Sequence, residues 1–236
     1  MSDARYAPPH ARLRSAPSAG PGGTIEIGEA FKEGWAATWA SFGLTLGVYV
    51  AGTVLTLLSV LTVVGVFLLL PVFFWGFIRF NLNAIDGRAE FADLFSGFAD
   101  YGRVVGTMLV LMGLMVLVGM IGQSLSIVGA AADSVALQLM GALLNFVWSL
   151  TVMPRIAFAW YYAVDHEMGP GEALNAAWAA TDGQTGRCLV LGILTSVVMI
   201  MGVLFLLVGV IPAMMVAYLM QAAAYRQLAG RQTAAA

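Results

Sequence analysis

The sequence predicts an all-α integral membrane protein: six transmembrane helices, built as three repeated units of an amphipathic interfacial helix plus a helical hairpin. Three observations carry this. The chain of 236 residues is 60% hydrophobic and only 10% charged, with a mean hydropathy of +0.87, leaving too little polar surface to cover a soluble domain. Six apolar stretches, at about 42–61, 64–83, 104–123, 141–164, 189–206 and 208–225, are long enough to cross about 30 Å of hydrocarbon at about 1.5 Å per residue. Finally, all 11 Lys and Arg residues fall on one side of that map. Basic residues resist translocation, so this side is the cytoplasm and both termini are inside.

Residues 1–24 are rich in Ala, Pro, Ser, Gly and Arg, and read as a disordered cytoplasmic tail without the apolar core of a signal peptide. Arg5, Arg12 and Arg14 give this tail a weak attraction for anionic headgroups. Residues 25–230 form the membrane domain, and 231–236 a disordered C-terminus.

Within that domain the motif GEAFKEGWAAT at 28–38 returns as GEALNAAWAAT at 171–181, with a fainter copy, FADLFSGF, at 91–98. Each copy places an apolar residue four positions before an aromatic, on one helical face: Phe31 and Trp35, Leu94 and Phe98, Leu174 and Trp178. These six are the expected anchors of in-plane interfacial helices. Two spans follow each copy, and the second span carries one proline: Pro71, Pro154 and Pro212. The repeats run over about 25–88, 89–169 and 170–230. An even number of spans per unit gives all copies one orientation, with any pseudo-threefold axis along the membrane normal.

The outer connections are expected near Thr62, from Gln123 to Met140, and near Val208, with Asp133 the only acidic residue outside. The inner boundary is marked by Trp35, Trp39, Tyr101, Trp160, Tyr161, Tyr162, Trp178 and Tyr225, as amphipathic rings favour the headgroup level. Small-residue stripes, Gly43/Gly47/Ala51, Gly102/Gly106 and Gly192/Ser196, are the expected helix–helix seams.

Chemistry is sparse. No nucleophile elbow, P-loop or zinc-protease motif occurs, and no cofactor is implied. His166, in Asp165-His166-Glu167, reads as part of a solvated loop rather than a metal ligand. The single Cys188 excludes an intramolecular disulfide, and a net charge of −2 without a basic cluster excludes a nucleic-acid surface. The intramembrane polar candidates are Arg155, Asn145, Arg79 and Asn81. Arg155, just after Pro154, is read as a functional group, a snorkelling cation or a structural donor to a proline-freed carbonyl.

The composite of GEAFKEGW, FFWGFIRFNLNAIDG, FADLFSGF and AYRQLAG resembles a broad group of bacterial multi-pass membrane proteins, over most of 24–230. It is also similar to the membrane-embedded domain attached to some glycerophosphodiester phosphodiesterases. The resemblance implies a bacterial inner membrane. It transfers no activity, because the sequence contains no phosphodiesterase catalytic domain. The expectation is a non-enzymatic protein that organises lipid or partner proteins through its cytoplasmic helices. The alternative is a small-molecule or lipid transporter or flippase with a path along the axis. The expected partners are the bilayer itself, its anionic headgroups, or a cytoplasmic or membrane protein; oligomeric state is left open.

Overall fold

The structure, a computed structural model, describes residues 23–204 and 209–230. Every regular element in them is helical: α1 (Ile27–Ala40), α2 (Phe42–Val60), α3 (Val63–Leu68), α4 (Leu70–Ile85), a 3-10 helix (Phe91–Phe98), α5 (Tyr101–Ala131), α6 (Val135–Thr151), α7 (Met153–His166), α8 (Pro170–Ala180), α9 (Thr185–Leu204) and α10 (Val210–Leu228). Residues 1–22 of the tail, the last six residues and the turn expected near Val208 lie outside the described residues.

Three helices, α2, α5 and α9, are long and apolar enough to cross a membrane. The stretches expected as the second and fourth spans are each divided. α3 gives way to α4 at Leu69, and α6 to α7 at Val152, in both cases two residues before a proline. The reason is chemical: Pro71 and Pro154 have no N–H to donate to the turn before them, which leaves one helix hydrogen bond unmade at each. The break is local. Phe73 still donates to the Leu69 carbonyl at 3.0 Å, and Ile156 to the Val152 carbonyl at 3.1 Å. At the first break, Tyr101 of α5 donates to the Leu68 carbonyl at 3.1 Å.

The connection expected over 123–140 is almost entirely helix, and only 132–134 link α5 to α6. Its hydroxyls and amides suggest a loop in sequence, but they bond back to helical carbonyls. Ser124 donates to Ile121 O, Ser126 to Gly122 O and Gln138 to Gly129 O.

The core lies along α4, α7 and α10. Ile156 and the run from Phe158 to Val164 are buried, as are most side chains from Met215 to Arg226. α2, α5 and α9 are peripheral and expose apolar residues such as Leu57, Leu117 and Val203. Each short helix packs along one core helix: α1 on α10, the 3-10 helix on α4, and α8 on α7. Glycine permits the closest approaches. A Cβ on Gly34 would lie 2.5 Å from the Met220 nitrogen, and one on Gly97 would lie 2.7 Å from the Val72 carbonyl. In α8, buried Ala173 and Ala177 face α7.

The expected seam glycines are therefore corrected. A Cβ at Gly43, Gly47, Gly102, Gly106 or Gly192 would meet nothing within 4 Å. Close contact falls instead at Gly34, Gly76, Gly97, Gly122, Gly129, Gly141 and Gly202. A small residue allows approach from its own face, but the neighbouring helix selects which face is used.

Candidate functional site

The ends of α4, α7 and α10 meet in a buried knot of charge. Arg226 is 2% exposed and donates to Asp86 Oδ2 at 2.7 Å and to Asp165 Oδ2 at 2.9 Å. Tyr225 donates its hydroxyl to the same Asp165 oxygen at 3.0 Å. Arg88 reaches Asp86 at 2.6 Å from the solvent side, and His166 Nε2 lies 3.5 Å from Asp165. Each buried charge thus has a partner, as burial demands. Arg226 also sits in the last turn of α10, where the carbonyl end of the helix favours a cation.

This places His166 differently from a solvated loop: its side chain is 15% exposed and its ring stacks on Tyr162. Among the described residues no group of three His, Cys, Asp or Glu is arranged to hold a metal. The knot fastens the ends of three helices together.

Of the four polar candidates, Asn81 is fully buried and accepts from the Tyr49 hydroxyl at 2.9 Å, while its Nδ2 has no partner. Arg79 turns to the surface, where it and Arg103 both face the Glu167 carboxylate at 3.4 Å. Asn145 lies in the α5–α6 hairpin. With its amide turned to satisfy both groups, it donates to Gly119 O and accepts from Gln123 N, each at 3.2 Å. Arg155 donates to Thr185 Oγ1 at 2.8 Å and lies over the Trp178 ring at 4.5 Å. It is therefore held between α8 and the start of α9. The structure does not bring these four residues together.

Among the expected anchors, Trp35, Phe98 and Trp178 are exposed, by 49%, 43% and 44%. Phe31 and Leu174 are half-buried. Leu94 is fully buried, against Gly52 and Gly76, and belongs to the core. Exposed Trp39, Phe91 and Phe95 extend the aromatic faces. Phe31, Trp35, Trp39 and Phe42 form a continuous row at 5.0–6.1 Å between successive ring centroids. Trp160, Tyr161, Tyr162 and Tyr225, expected at the boundary, are core residues. Their rings pack on one another and on Phe74, edge-on for Trp160 with Phe74 and Tyr162 with Tyr225 and stacked for Tyr161 with Tyr225.

A cavity of about 600 Å³ opens beside α9, walled by Met115, Phe158, Tyr161, Leu191 and Gln221. A second, of about 170 Å³, adjoins it and is lined by Asn81 and Trp160 among others. Arg155 lines neither.

The knot and the cavities escaped the sequence reading. Arg226 meets carboxylates 140 and 61 positions away, and no local pattern encodes such pairing. One weak signal exists. Asn83, Asp165 and Arg226 each stand four residues before the glycine that closes a unit, Gly87, Gly169 or Gly230.

No protein-family model matches the chain, and no curated protein or solved structure is significantly similar to it.

Proposed function

We propose that the chain is a non-enzymatic, six-span protein of a bacterial inner membrane, with both termini in the cytoplasm. It organises lipid or a partner protein through a cytoplasmic belt made by α1, the 3-10 helix and α8. The observation that carries this is the two-sidedness of those helices. Trp35, Trp39, Phe91, Phe95, Phe98 and Trp178 are exposed, whereas Ala30, Leu94, Ala173 and Ala177 on the same helices are fully buried. Exposed rings beside paired charges suit the headgroup layer, where one side of an aromatic is wet and the other apolar.

In this reading α3 with α4, and α6 with α7, act as proline-broken spans, and the three units close into a ring. Support comes from how the short helices pair: the 3-10 helix on α4, α8 on α7, and α1 back on α10. The N-terminal segment adds to the closure. Ile25 N donates to Gln184 Oε1 at 3.0 Å, and Glu26 N to Gln227 Oε1 at 2.8 Å.

Brominated lipids test the belt. In nanodiscs, headgroup-proximal bromines should quench Trp35, Trp39 and Trp178 more strongly than bromines near the chain ends. Quenching strongest from the chain ends, or absent from both, would defeat the reading. Transport is the second reading, and the observation favouring it is the cavity between α5, α7, α9 and α10. It expects reconstituted protein to move a solute or lipid, and a folded protein that moves none would defeat it.

A further inference from the structure

The two adjoining cavities differ in chemistry. The larger runs along α9 from Cys188 to Ile200, a length of about 18 Å at the helical rise, and its walls are mostly aliphatic. Gly192, Ile193, Ser196 and Val197 on its rim are exposed, so it opens sideways on the apolar flank of α9. The smaller is lined by five aromatic side chains, Phe74, Phe77, Trp160, Tyr161 and Tyr218, together with Asn81 and Gln221. Met115, Ala157, Tyr161 and Gln221 line both.

Two donors at the aromatic end have no partner: Asn81 Nδ2 and Trp160 Nε1, both buried. Buried N–H groups without acceptors are rare in a finished core. Both belong to residues that line the smaller cavity. No Lys, Arg, Asp or Glu lines either cavity, so a charged head such as a phosphate would go uncompensated. The combined volume lies within the roughly 300–1,000 Å³ typical of ligand sites.

The geometry points to a binding site for an isoprenoid quinone. Its flat ring would lie among the five aromatics, its carbonyl oxygens would accept from Asn81 and Trp160 once those two side chains turn their sealed N–H groups toward it, and its aliphatic tail would lie along α9. A quinone is chosen over an uncharged glycerolipid because the head compartment is both aromatic-walled and small, which suits a planar dicarbonyl ring. Entry is lateral, from the bilayer, and this rests on the six-span reading above. The assignment is of binding alone; no redox step is implied.

The test is a titration of decylubiquinone into the full-length protein in nanodiscs, reading tryptophan fluorescence, which a quinone ring quenches on contact. A saturable phase is expected that is lost in Trp160→Phe. Asn81→Leu should weaken it at least about tenfold. Ala157→Phe fills the shared wall, and Ser196→Phe blocks the rim without entering the packed core; each should abolish saturation. Quenching that rises linearly with quinone content, equally in all variants, would overturn the site. Full relief of the saturable quenching by an equimolar amount of dioleoylglycerol would overturn the ring assignment. A separate control reports on the membrane reading: Ile193→Cys in a Cys188→Ala background should resist a membrane-impermeant maleimide. Labelling there would overturn the spanning of α9 and the lateral entry with it. Protection without saturable quenching would overturn the quinone site alone.

Discussion

Arg226 shows what a single residue holds in this molecule. Removing its guanidinium leaves Asp86 and Asp165 facing each other with no buried cation between them. Arg226→Ala should therefore cost about 3–5 kcal/mol, the usual effect of leaving a buried charge uncompensated. Denaturant unfolding in mild detergent would measure it, and a loss under about 0.5 kcal/mol, the range of an ordinary surface change, would mean the knot holds nothing. The triple variant Arg226→Met, Asp86→Asn, Asp165→Asn should recover most of the loss, because no orphaned charge remains. At this scale the sequence named residue types correctly but not their company. Asn81 was legible as a polar residue in an apolar stretch, yet its partner Tyr49 and its unpaired Nδ2 were not. Arg155 was legible as unusual, while its position over Trp178 depended on how α7 and α8 fold back together.

At the scale of the element, the glycines separate what a helix carries from what its neighbour uses. Gly34→Ala should destabilise by about 1–3 kcal/mol, since the new methyl meets the α10 backbone and α1 must shift. Gly47→Ala meets open space and should be neutral or stabilising by up to about 1 kcal/mol, from helix propensity alone. Thermal unfolding of the two variants side by side would check the assignment; equal effects would contradict it. Helix starts and stops were partly legible. Thr62 and Ser134 cap α3 and α6 through their side chains, and Pro71 and Pro154 begin the second half of each divided stretch. The long reach of α5 was not, because its serines satisfy themselves within the helix and only look like loop residues in one dimension.

For the whole molecule, the six-span reading makes a topological prediction. In a Cys188→Ala background, Asp133→Cys should label with an impermeant maleimide added outside intact cells, and Glu90→Cys should label only after lysis. Both residues are exposed, so accessibility alone does not bias the result. Labelling of Glu90→Cys from outside would invert or abolish the topology. The two halves of the molecule also differ in character. α2, α5 and α9 lie outside with apolar faces bare, whereas α4, α7 and α10 are sheathed by the short helices. A bundle of this kind relies on van der Waals fit between helices where lipid already satisfies the apolar periphery.

The sequence by itself determined the helical class, the apolar stretches and where prolines interrupt. All of these are local or additive properties, summed along the chain without knowing what touches what. The tertiary structure alone decided which glycines are seams and which aromatics are core. It alone decided that Arg226 closes on Asp86 and Asp165, and that Asn81 and Trp160 share one cavity. Those are matters of contact between residues far apart in the chain, and a helix presents several faces among which only its packed neighbours choose.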